Sequence, residues 1–245
     1  MHAAVIVVLV VIAEFEPLRT GAIAALAVWL ALSMIRLRRL NGNSRVPEIG
    51  SPSANRLTTV RGIAAVVLTA AVAGLAASSF PAAISSPDDG VGLFRDPRWG
   101  WVLAGALLVV ESTDFLDGRL ARRGVPGWFG GVWDMENDAV FAVALAVTIR
   151  HLFSAALPVL GIGLMRYLYV LLWRRERRPA QPPRVQQFFS KTVAATLAVT
   201  LILVIAPPVT SELRDAVIAT ALGLQLVSFG WDILLQYRFG RETTR

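Results

Sequence analysis

Residues 99–118 read WGWVLAGALLVVESTDFLDG, and residues 131–149 read GVWDMENDAVFAVALAVTI. Each run is apolar over enough residues to cross about 30 Å of hydrocarbon as a helix. The first closes on Asp114 and Asp117, and the second opens on Asp134 and Asp138. Separations of three and four residues put each pair on one face of its helix. A hairpin of about a dozen residues joins the two runs, so antiparallel packing would bring the pairs together.

Outward from this hairpin, further apolar runs fall near 20–36, 57–79, 155–173, 188–206 and 214–236. They are separated by the Ser/Pro/Asp/Gly stretch 80–98, the Pro-rich 179–183 and Pro207-Pro208. Residues 3–13 form an additional, shorter run, set off by Glu14, Glu16 and Pro17. The chain has 245 residues, 55% hydrophobic and 17% charged, with a mean hydropathy of +0.59. A soluble domain carries about 25% charge. The expectation is an all-α polytopic membrane protein, with a six-helix core at 51–236, an extension at 1–50 of one or two hydrophobic helices with a basic linker, and a tail at 237–245.

Alternating the loops separates the basic residues. Arg36, Arg38, Arg39, Arg45, Arg56, Arg61, Arg119, Arg122, Arg123, Arg174, Arg175, Arg177, Arg178, Arg184, Lys191, Arg238, Arg241 and Arg245 fall on one side; Arg19, Arg95, Arg98, Arg150 and Arg214 fall on the other. The first side is therefore cytoplasmic, which places both aspartate pairs at the cytoplasmic surface of the plasma (inner) membrane. The net charge of +7 reflects these loops and calls for no nucleic acid. With no Cys and only two His, thiolate and multi-histidine metal sites are excluded.

Four clustered carboxylates near a bilayer cannot all stay ionised without cations. A single charge at the bilayer centre costs about 2.5–3.5 kcal/mol on the lenient scale, and like charges in proximity drive protonation. Two divalent ions would neutralise four carboxylates. Hard oxygen donors favour Mg²⁺, with Mn²⁺ or Ca²⁺ competing. Paired ions suit a pyrophosphate, because they stabilise attacking and leaving oxygens together. Small residues at Gly118, Ala121 and Gly130 would let backbones or a ligand approach closely.

These residues resemble the CDP-alcohol phosphatidyltransferase family, whose motif is D-x2-D-G-x2-A-R-x8-G-x3-D-x3-D. Asp114, Asp117, Gly118, Ala121, Arg122, Gly130, Asp134 and Asp138 fill it. Upstream, Asn55-Arg56-Leu57-Thr58-Thr59-Val60-Arg61 is similar to the family's P-N-x-L-T-x-x-R segment, with Ala54 in place of the proline. Residues 123–129 are one fewer than the family spacing and contain no Ser or Thr. The resemblance implies a homodimeric transferase that moves a phosphatidyl group from a CDP-diacylglycerol-like donor to a small polar or phosphorylated alcohol and releases CMP. It implies that Asp114, Asp117, Asp134 and Asp138 bind Mg²⁺ or Mn²⁺ as two ions, with Asp138 also the general base. Asn55, Thr58, Gly118, Ala121 and Arg122 match the CDP-alcohol pocket.

Arg166, inside a span, and Lys191, the single lysine, are candidates for the acceptor. The other reading of Arg166 is a partner for a carboxylate, and that of Lys191 an interfacial anchor. Glu136 falls on the far side of its helix from the aspartate pair and reads as a helix-surface residue. Two other functions compete with the transferase: a divalent-cation transporter or channel, and a catalytically silent relative. A transporter needs carboxylates along a continuous path, and spans 155–173 and 188–206 have none.

Overall fold

The computed structural model describes residues 2–15, 18–43, 52–78, 96–121, 128–173 and 183–242. Side chains are described for these apart from residues 2, 34, 36–43, 52–57, 76–78, 114–121, 128–133, 173, 236 and 238–242. Among the described residues, eight helices follow in order: α1 (His2–Ala13), α2 (Arg19–Asn43), α3 (Pro52–Ser78), α4 (Pro97–Ala121), α5 (Trp128–Leu152), α6 (Pro158–Trp173), α7 (Arg184–Leu203) and α8 (Ser211–Glu242). No strand occurs among the described residues.

Local chemistry explains several boundaries. Pro52, Pro97 and Pro158 each open a helix, where the missing N–H would have no intrahelical partner and the fixed φ suits the first turn. Asp96 caps α4 by accepting the Arg98 backbone N–H at 2.9 Å. Pro207 and Pro208 keep α7 from continuing into α8. One expectation changes. Helix α4 continues past 118 to Ala121 and α5 begins before 131, at Trp128, so residues 122–127 separate them instead of about a dozen. The apolar runs end before the helices do, because helical hydrogen bonding does not depend on lipid.

Among the described residues, three helices are long and apolar enough to cross a membrane: α3 over Thr58–Leu75, α7 over Arg184–Leu203 and α8 over Ser211–Leu235. Shorter apolar helices occupy Ala3–Ala13, Arg19–Ser33 and Pro158–Leu172. The exterior is apolar, with Val67, Val109, Leu172, Phe188, Val227 and Leu234 all exposed. Large exposed apolar side chains on several helices suit a lipid surround.

Helix α5 sits in the centre, packed against α3, α6 and α7. Ala139, Val140, Phe141 and the run Val143–Val147 are buried, which identifies an interior helix rather than an amphipathic surface one. Small residues permit this density. A Cβ at Gly163 of α6 would lie 2.9 Å from the Val143 Cα and 3.0 Å from the Ala146 Cβ, so α6 crosses α5 almost at backbone contact. Helices α3 and α7 each contact both α4 and α5.

The N-terminal helices form part of the same bundle. Helix α2 packs on α3, and α1 packs on α6. Val10 meets Val143, Ala146 and Val147 of α5 and Leu160, Gly163 and Leu164 of α6 around one narrow gap. Beyond α1, Glu14 Oε2 accepts from Arg150 Nη2 at 2.8 Å and Nε at 3.0 Å. At the start of α8, buried Arg214 donates to the Val204 and Val209 carbonyls at 3.1 and 2.9 Å and lies 4.5 Å from the Phe153 ring centroid. These contacts close the bundle at the end opposite the aspartates.

Candidate functional site

Positions 134 and 138 lie one helical turn apart, near the start of α5, so their carboxylates project in the same direction. On α3, Thr58 and Arg61 share a buried stripe with Ala65, Leu68, Thr69 and Val72. That stripe faces the bundle interior, and α3 packs along α5. Arg61 carries its guanidinium from this stripe directly to the aspartates.

The Arg61 side chain is 1% exposed, and its Nη2 lies 2.8 Å from Asp134 Oδ1 and 2.7 Å from Asp138 Oδ1. The carboxylates themselves are 44% and 53% exposed. One nitrogen thus donates to both acids from the protein side, while the acids remain accessible from the other. Arginine holds its charge under all ordinary conditions, and removing that charge from water is costly without paired acceptors. The two short contacts to carboxylates supply this pairing.

The sequence placed Arg61 among the basic residues of the cytoplasmic side and at the end of the Asn55–Arg61 segment, but not among the candidate site residues. The structure makes it a member of the site. Two signals were available: Arg61 closes that segment, and it follows Thr58 by three residues, so a buried Thr58 predicts an inward Arg61. Thr58 is indeed buried.

The remaining expected residues divide into three groups. Asp114, Asp117, Gly118 and Ala121 lie on the last turns of α4, and their side chains are outside the described residues, as is that of Asn55 on α3. Arg122 is outside the described residues altogether. Arg166 is placed on α6, with Nη2 3.3 Å from Glu136 Oε2 and Nη1 3.9 Å from Met135 Sδ. Its carboxylate-partner reading therefore has a named partner. Glu136 is partly buried and joined to α6 rather than being a simple surface residue. Lys191 is exposed on α7. Its neighbour Ser190 is tied inward: Gln186 Nε2 donates to Ser190 Oγ at 3.2 Å and to the Ser228 carbonyl at 3.3 Å.

The described donor set fits a hard divalent cation. Asp134 and Asp138 offer oxygen alone, are accessible, and converge closely enough for one cationic nitrogen to reach both. No group of three or more metal-ligating side chains forms among the described residues. The two α4 aspartates that would complete the set lie outside that description. Chemically, the arrangement can hold a cation and present a carboxylate to a hydroxyl.

The family model of CDP-alcohol phosphatidyltransferase matches residues 52–227. This segment starts with α3, includes the whole of α4 to α7 and ends within α8. No curated protein and no solved structure matches the chain.

Proposed function

The chain belongs to the CDP-alcohol phosphatidyltransferase family, and from that premise we propose that it transfers a phosphatidyl group from CDP-diacylglycerol to a small polar or phosphorylated alcohol, releasing CMP. Family membership and the three long apolar helices make it an integral membrane phosphotransferase that uses a CDP-alcohol. The observation that carries the fuller reading is the convergence of Asp134 and Asp138 on one cationic nitrogen, within the segment that matches the family.

In this reading the catalytic core is 51–236, preceded by a membrane extension and followed by a short tail. The core acts as a homodimer at the cytoplasmic face of the plasma membrane. Asp114, Asp117, Asp134 and Asp138 hold two Mg²⁺ or Mn²⁺ ions. When bound, such ions neutralise the donor pyrophosphate and the charge that builds on departing CMP. Asn55, Thr58, Gly118, Ala121 and Arg122 receive the CDP moiety, the small residues leaving room for the cytidine. Arg166 and Lys191 attract an anionic acceptor.

Asp138 supplies the base. Its carboxylate takes the proton of the acceptor hydroxyl over a hydrogen-bond distance of about 2.6–3.2 Å. The acceptor oxygen forms a bond to the phosphorus bearing diacylglycerol, the bond from that phosphorus to the bridging oxygen breaks, and the electron pair leaves with CMP. The bundle contributes orientation: α3 and α6 clamp α5, so the base is held on a rigid interior helix.

The test is CMP release by the purified chain in lipid with Mg²⁺ or Mn²⁺ and CDP-diacylglycerol. Glycerol 3-phosphate, inositol 1-phosphate, inositol, serine and choline are supplied one at a time. Acceptor-dependent CMP that disappears with EDTA is expected. Absence of CMP with every acceptor, from folded protein, would remove CDP-diacylglycerol and these alcohols from the proposal.

A further inference from the structure

The buried guanidinium beneath the two acids has a role that charge balance alone does not describe. We infer that Arg61 is the positioning residue of the carboxylate centre: it fixes the directions in which Asp134 and Asp138 present themselves to a divalent cation and to the acceptor hydroxyl. This rests on the metal-dependent reading of the same site.

The geometry is specific. A single nitrogen, Nη2, reaches Oδ1 of Asp134 at 2.8 Å and Oδ1 of Asp138 at 2.7 Å. Each acid is therefore held through one of its oxygens by the same donor, which couples their side-chain torsions. A carboxylate has two oxygens and can accept several contacts, so a guanidinium on one side is compatible with ion binding on the other. The asymmetry of burial agrees: Arg61 is 1% exposed, whereas the acids are about half exposed. The fixed element lies inside the bundle and the reactive element faces outward.

Arg61 is anchored by its backbone. It belongs to the α3 stripe that packs along α5, with Ala65 buried one turn further along the helix. A planar guanidinium is better suited to bridging two acids than an ammonium on a flexible stem. Charge also matters. Four carboxylates with one arginine carry −3, so two divalent ions would leave the centre at +1 rather than neutral. A residual positive charge favours a pyrophosphate ligand.

The experiment uses the full chain in lipid, as wild type, Arg61→Gln and Arg61→Lys, with Asp134→Asn as a reference. Mn²⁺ alone is the first probe, followed by electron paramagnetic resonance for stoichiometry and spectral shape. The second measurement is steady-state CMP release with the acceptor that supports wild-type turnover. For Arg61→Gln, we expect a broadened Mn²⁺ spectrum and a fall in kcat of about 100-fold, the scale of an ångström-level misplacement. KM for donor and acceptor should remain within about threefold, because neither is bound by Arg61. Arg61→Lys should recover part of kcat while its spectrum stays broader than wild type.

A merely structural arginine would lower folded yield but leave the spectrum and kcat of the folded fraction unchanged; that result overturns the inference. If Arg61→Gln does not fold, Arg61→Lys decides: identity with wild type in both spectrum and kcat overturns it equally. Wild-type protein that binds no Mn²⁺, and behaves like Asp134→Asn, would instead refute the underlying metal reading.

Discussion

His151 makes the docking of the N-terminal helices sensitive to pH. It stands in the last turn of α5, beyond the apolar run 131–149, with its side chain 6% exposed. Burial, together with the nearby Arg19 and Arg150 charges, lowers its pKa from 6.5 to about 4. Glu14 lies 3.7 Å away but directs its other carboxylate oxygen to Arg150 at 2.8 Å, so the added positive charge gains little from it. The folded state therefore favours neutral imidazole.

The sign follows from proton linkage. With a folded pKa below the unfolded one, the unfolded chain binds more protons between about pH 4 and 6.5, and stability falls as pH drops through that window. The full shift corresponds to about 3 kcal/mol, and about 2 kcal/mol is already lost at pH 5. For a chain of this size each kcal/mol is roughly 2–4 °C, so His151 accounts for about 4–8 °C between pH 7.5 and 5. The assay is thermal unfolding in mild detergent, followed by tryptophan fluorescence, for wild type and His151→Gln. Comparing the two cancels the titration of other groups. Wild type should lose stability relative to the variant as pH falls. A difference constant from pH 7.5 to 5 would refute the reasoning; a difference of opposite sign would show that Glu14, not burial, governs the imidazole.

Asp138→Asn should abolish turnover while leaving the folded yield near wild type, measured by CMP release and by unfolding; near-normal turnover would remove Asp138 from the base role. Gly163→Ala should cost about 1–3 kcal/mol by forcing α6 away from α5. Gly223→Ala, where a Cβ meets nothing within 4 Å, should be neutral or slightly stabilising; equal losses in the two variants would contradict the close crossing. Glu136→Gln should release Arg166 from its 3.3 Å contact and change KM for an anionic acceptor more than KM for the donor. Unchanged acceptor KM in both Glu136→Gln and Arg166→Gln would take Arg166 out of the acceptor role.

Helix positions were legible because apolar runs, proline and charge act locally. The apolar runs near 57–79, 99–118 and 155–173, set off by the breaks at 80–98 and 179–183, correspond to α3, α4 and α6. Helix lengths were less legible: a hydropathy window detects contact with lipid, whereas α4 and α5 each continue about one turn past the apolar run into the hairpin. Residues 3–13 illustrate the opposite case. They are too short to span comfortably, yet they form α1, with Ile6 and Val10 buried and the helix packed on α2 and α6. Their stability comes from tertiary contact, which composition does not report.

The site divides along the same line. A pair of acids four residues apart on a helix is visible by counting, since both members belong to one element. Arg61 is different, because its partners are 73 residues away for Asp134 and further still for Asp138. At the end of an apolar run, an arginine anchoring the chain in lipid headgroups and an arginine buried beneath a carboxylate pair present the same local pattern. What separates them is the face of α3 on which Arg61 lies and what packs there. Thr58, Ala65, Leu68 and Val72 are buried with it, whereas Val60, Ile63 and Val67 are exposed. Apolar residues occupy both faces, because one meets protein and the other meets an apolar surround. Hydrophobic periodicity therefore has little contrast here. In such a helix the polar residues carry the directional information: a charged side chain reveals the inward face once its partner is known.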